Sequence, residues 1–177
     1  MLVKILIVVA VLIAGTVITA GFQSPDYMIS RTLIINASPE TIYPHLNSAQ
    51  NSYAWMPWKE MDSQIQITFS GPEDGPGSKA SWTSPGEMGT GQSIITESNY
   101  SKNVKVDITY EMPMQMTQHS EFNMQPSAVG TYVTWSVTGK NSFIGRVFCL
   151  FMNMDKMVGP HFEKGLANLK SKVEAAK

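Results

Sequence analysis

One cysteine in 177 residues leaves no room for an intrachain disulfide framework. That residue, Cys149, sits in the apolar run VFCLFM and reads as a small buried hydrophobe, with only Arg146 within a turn to activate a thiolate. The histidines His45, His119 and His161 stand far apart, and no HxxxH or HExxH spacing joins them, so the usual zinc-hydrolase helix is excluded. There is no phosphate-cradling loop; GPEDGPG has the composition of a hairpin turn. Thirteen basic and fourteen acidic residues leave a net charge of −1, with no basic patch interleaved with aromatics, so nucleic acid is not an expected partner. No metal or cofactor is expected either.

What is abundant is apolar, and the first block of it stands apart. Residues 5–22, ILIVVAVLIAGTVITAGF, carry no charge, and Lys4 precedes them. Runs of about 18 or more apolar residues suit a membrane span, whereas signal-peptide cores are usually about 7–15. Cleavage after Ala20 would put Ile18 where a small residue is needed, and Thr16 occupies the place of a lipidated cysteine in IAGT. Residues 1–22 are therefore expected to be an uncleaved anchor rather than a signal peptide. Positive charge before the span, and none after it until Arg31, predicts a single-span protein with its domain on the extracytoplasmic, periplasmic side. Residues 23–27 form a polar linker, and residues 28–177 the domain.

Within the domain, MISRTLIIN reads as a strand, and ASPETIYPHLNS as a short helix with Ser38 as N-cap and Pro39 at the first helical position. In NSYAWMPW, Trp55 and Trp58 are three apart, so on a helical turn both point one way. From residue 64 the period becomes two: QIQITF, KASWT, QSIITES, NVKVDITYEM and TYVTWSVTG alternate between faces and are separated by Gly/Pro turns. After residue 145 the period is helical again. Val147, Phe151, Met154, Val158, Phe162, Leu166, Leu169 and Val173 make one stripe about seven turns long, which Pro160 is expected to kink near residues 156–159.

The stretch EMPMQMTQHSEFNMQ raises a separate question. Met114, Met116, Phe122 and Met124 share one parity, and His119 and Glu121 the other. Three readings stand side by side: ordinary core, a deformable wall for an apolar ligand, and a thioether Cu(I) site.

RTLIINASPETIY, WMPW, GPEDGPGSKASW, GTGQSIITES and FMNMDKMVGPHFEKGLANLK together resemble the polyketide cyclase/dehydrase branch of the START-like (SRPBCC) superfamily, in its membrane-anchored bacterial form. The resemblance spans about residues 27–174. It implies an α+β helix-grip fold: a curved antiparallel sheet wrapped around a long C-terminal helix, with two short helices after the first strand. It also implies an internal cavity for a hydrophobic small molecule or lipid. The cavity is expected to be lined by Trp55, Trp58, Trp82, Tyr110, Met114, Met116, Phe122 and Trp135 on the sheet side, and by Phe151, Met154 and Val158 on the helix. Binding, with possible transport, is the expected function. Alternatives are a cyclase/dehydratase-like enzyme, which needs a carboxylate or histidine facing the cavity, and an interaction module with a filled core. An enclosed pocket of about 300 Å³ or more marks the binding case.

Overall fold

A computed structural model describes every residue except Glu87, Pro113, Met114, Ala176 and Lys177. The alternating segments form seven strands: β1 (Asp26–Ile35), β2 (Gln66–Ser70), β3 (Lys79–Thr83), β4 (Thr90–Asn99), β5 (Asn103–Met112), β6 (Met116–Ser127) and β7 (Gly130–Lys140). They make one antiparallel sheet in the order β1-β7-β6-β5-β4-β3-β2. From β2 to β7 each strand pairs with the next along the chain. β1, which a helical connection joins to the opposite edge, pairs with β7, with Arg31 opposite Trp135. Register shifts in β4, between Thr90 and Gly91 and between Ile95 and Glu97, add local twist and curl the sheet.

The helices are α1 (Leu2–Phe22), α2 (Pro39–Leu46), α3 (Ala49–Tyr53), α4 (Trp58–Met61), α5 (Phe143–Cys149) and α6 (Met154–Glu174). The short helices after β1 thus include α4, a single turn begun by Trp58. α6 lies on the concave face, mainly against β1, and buries Gly159, Phe162, Gly165, Leu166, Leu169 and Val173. Spacing of three and four along a 3.6-residue helix puts these on one stripe. The sheet meets them with Ile29, Ile35, Val104, Phe122, Met124, Val133, Trp135 and Val137. This is the helix-grip arrangement that the resemblance implies.

One expectation about the C-terminal helix needs correcting. The stripe begun at Val147 is not one helix: α5 ends at Cys149 and α6 starts at Met154. Asn153 takes the N-cap role, its side-chain oxygen accepting from the Lys156 N–H at 3.1 Å, and a tight turn at Leu150–Met152 precedes it. Pro160 lies inside α6, which continues through it to Glu174.

No pattern in the sequence pointed to a second tie between α6 and β1. Arg31, on the inward parity of β1, donates from Nη1 and Nη2 to both carboxylate oxygens of Asp155 at 2.8 and 2.9 Å, and from Nε to Glu163 Oε1 at 2.7 Å. The guanidinium lies against Gly159, where a Cβ would stand 1.9 Å from Nη2. Glycine at this turn is what lets an arginine pass beneath the helix. These bonds raise the Arg31 pKa further above its already high value and hold the Asp155 carboxyl below its usual range.

Candidate functional site

Between β3–β6 and the short helices lies a cavity whose wall is largely aromatic and aliphatic. Trp58 and Met56 come from the turn around α4. Trp82 comes from β3, Ile95 from β4, Val106, Ile108 and Tyr110 from β5, and Phe122 and Trp135 from β6 and β7. The period-two pattern explains this convergence. Val106, Ile108 and Tyr110 are on one face of β5, and Ser120 and Phe122 are on the same face of β6, because Val106 pairs with Ser120 and Val104 with Phe122.

The rings are held in defined positions. Trp135 stacks on Phe162 with centroids 4.1 Å apart and planes 6° from parallel, and donates from Nε1 to Ser120 Oγ at 3.0 Å. Trp55 and Trp58 both meet the Trp135 ring edge-on, at 5.7 and 6.1 Å. Their three-residue spacing therefore does point them the same way. Trp55 sits one layer behind the cavity, in the core, its Nε1 donating to the His45 carbonyl at 3.0 Å. Trp82 meets Tyr110 edge-on at 5.4 Å and donates to the Met88 carbonyl at 3.0 Å. Gly91 makes this possible, since a Cβ there would stand 2.4 Å from the Trp82 ring and 2.5 Å from the Thr109 carbonyl oxygen.

The polar groups on the wall are hydroxyls: Ser52, Ser78, Ser93, Ser120, Tyr53 and Tyr110. Burial pushes the Tyr53 and Tyr110 phenols up to about 12, so both stay protonated at neutral pH. Among the described residues lining the cavity there is no carboxylate and no imidazole. His119 is exposed on the opposite face of β6 and pairs with Asp107 at 2.7 Å.

Of the residues expected to line a cavity, Trp58, Trp82, Tyr110, Phe122 and Trp135 are brought together around this one. Met116 is not. It lies at the start of β6 in an open crevice with Tyr27, Thr117 and Gly139. Met114 lies outside the described residues, and Met124 is buried in the core eight residues further along β6, about 26 Å from Met116 at 3.3 Å per residue. Met116 and Met124 therefore cannot share one ligand. On the helix side, Met154 and Val158 pack at the edge of the core, while Phe151 is 76% exposed in the turn between α5 and α6. The break at residues 150–153 turns Phe151 outward. The methionines on the cavity wall are instead Met56 and Met88, both in turn segments where no strand parity exists to reveal them.

The cavity volume is about 60 Å³. Sites that enclose a drug-sized ligand usually have about 300–1,000 Å³. The described packing is thus nearly closed.

A curved seven-stranded sheet, a gripping helix and a small apolar cavity between them define a START-like helix-grip protein. Residues 28–174 match the family described as "Polyketide cyclase / dehydrase and lipid transport", and the chain belongs to that family. In fold it is similar to Ara h 8.0201, at 12% identity and a TM-score of 0.59, over 85% of this chain and 99% of that one. It is also similar to the di-domain ARO/CYC StfQ from the steffimycin biosynthetic pathway, at 12% identity and 0.59, over 85% of this chain and 51% of that one. A third likeness is to Aha1 from Colwellia psychrerythraea, at 23% identity and 0.57, over 85% and 98% of the two chains. At these identities the likeness is one of fold. No curated protein matches the sequence significantly.

Proposed function

We propose that the domain binds a hydrophobic small molecule or lipid in the cavity under β3–β6, beside a membrane in which α1 is anchored. The observation that carries this reading is the wall itself: aromatic and aliphatic surface with a few hydroxyls and, among the described residues, no carboxylate or imidazole. Such a wall offers an apolar ligand burial and one or two hydrogen bonds, without a group to move protons. The family's description includes lipid transport, which agrees with it.

The small volume sets a condition. A ligand must enlarge the cavity as it enters, and the parts able to yield are Met56, Met88 and the turns that carry them, because thioether side chains are unbranched and re-pack at low cost. α1 has the 21-residue length and the apolar composition of a membrane span, properties a signal sequence shares. An uncleaved α1, with Lys4 on the cytoplasmic side, would hold the cavity where apolar ligands are concentrated.

The small volume also favours a second reading, an interaction module whose core is filled by its own side chains. Native mass spectrometry of the full chain released from detergent, with displacement of a fluorescent fatty-acid probe, tests the first against the second. A bound apolar mass, or saturable probe uptake, is the expected result. A bare chain that takes up no probe would overturn the ligand-binding reading.

A further inference from the structure

The exposed apolar residues of the domain are not scattered evenly. Ile144, Phe148 and Phe151 follow one another at steps of four and three, so they share one side of α5 and the turn beyond it. They are 73%, 47% and 76% exposed, and Met152 is exposed next to them. A helix this apolar on its open side normally has a partner.

The place of α5 says what the partner is. The last turn of α1 packs on α5, with Ala20 fully buried there. Arg146 Nη1 donates to the carbonyl oxygens of Gly21 and Gln23 at 3.3 and 3.2 Å, satisfying the end of α1. A helix of 21 residues is about 31 Å long, close to the roughly 30 Å hydrocarbon thickness of a bilayer. If α1 spans, Phe22 and the α5 docked beside it stand at the bilayer surface.

We infer that α5 is a second membrane contact, an interfacial helix that inserts Ile144, Phe148 and Phe151 among the lipids around α1. This rests on the reading of α1 as a retained anchor. Its consequence is orientation. The domain is held by two contacts instead of swinging on a linker, and the crevice lined by Tyr27, Met116 and Gly145 faces the bilayer. Arg146 serves as a bracket between the two helices, its guanidinium 5.3 Å from the Phe143 ring.

The test uses the full chain in vesicles of phosphatidylcholine and phosphatidylglycerol. An environment-sensitive fluorophore is placed on single cysteines in a Cys149→Ser background: Ile144→Cys, Phe151→Cys and, as control, Val129→Cys. All three sites are exposed, so labelling should not disturb folding. Val129 follows the far end of β6, a strand of 12 residues and so roughly 40 Å long. Lipids brominated along the acyl chain should quench the Ile144 and Phe151 probes at least about twofold and leave the Val129 probe unchanged. Flotation after an alkaline wash reports on α1 separately. A chain that floats without quenching at Ile144 and Phe151 overturns the proposal alone, including the case where a second copy of the chain covers the face. A chain that fails to float overturns the reading of α1 and the proposal together.

Discussion

Trp135 links the three parts of the domain: it is on β7, stacks on Phe162 of α6, and receives Trp55 and Trp58 on its edges. Removing its stacking partner should be costly. Phe162→Ala is expected to destabilise the domain by about 3–5 kcal/mol, as a large-to-small change in a packed core, checked by chemical unfolding of the full chain in detergent. A loss below about 1 kcal/mol would mean that α6 is not docked on the sheet. Gly91 should behave in the opposite sense, through too much atom rather than too little. Gly91→Ala is expected to cost about 1–3 kcal/mol by overpacking and to shift tryptophan emission as Trp82 is pushed off β4. The aromatic positions were legible because strand parity and a three-residue spacing both have fixed geometric meaning. Gly91, Gly159 and Arg31 were not, because a glycine's role depends on what crosses it in space.

At the scale of elements, most strands were legible almost to their ends: KASWT and NVKVDITYEM correspond to β3 and β5 residue for residue. β6 was legible only as a continuation of the parity of β5. The break between α5 and α6 was hidden, because the apolar stripe runs through it and only Asn153 marks the new start. Besides its buried apolar stripe, α6 is tied to β1 by the Arg31 hydrogen bonds to Asp155 and Glu163, and this tie should show in the pH dependence. The Asp155 carboxyl is held below its usual range by the Arg31 hydrogen bonds, so it binds fewer protons folded than unfolded near its titration. Its contribution to stability is therefore present above the ordinary carboxylate pKa, near about 4, and is lost as pH falls through the lower folded value. Arg31→Gln should flatten the acid side of the stability profile measured by thermal unfolding between neutral and acidic pH. Glu40, Glu60 and Glu97, lowered by Ser38, Lys164 and Lys105, should keep their share of that slope. An unchanged acid limb would show that the clamp does not persist in solution.

For the whole molecule, the question is whether the cavity is a vestige of imperfect packing or a site waiting to widen. The methionine row in β5–β6 suggested a deformable wall, but the described Met116 faces an outer crevice, and the yielding residues on the cavity are Met56 and Met88. No period in the sequence could have placed those two, since both sit in turns. Ile108 offers a way to decide. It lines the cavity from β5, half-buried, with its neighbours on the same face. Ile108→Trp adds side-chain volume directly into the space a ligand would take. If the wall yields, the indole should be accommodated at a cost under about 1 kcal/mol, and uptake of a fluorescent fatty-acid probe should fall at least about tenfold. If the core is rigidly filled, the same change should cost about 1–3 kcal/mol as overpacking, and there should be no probe uptake in the parent to lose. Unfolding midpoints and probe titrations on the parent and the single variant separate the two, because the yielding wall and the filled core predict opposite outcomes in both measurements.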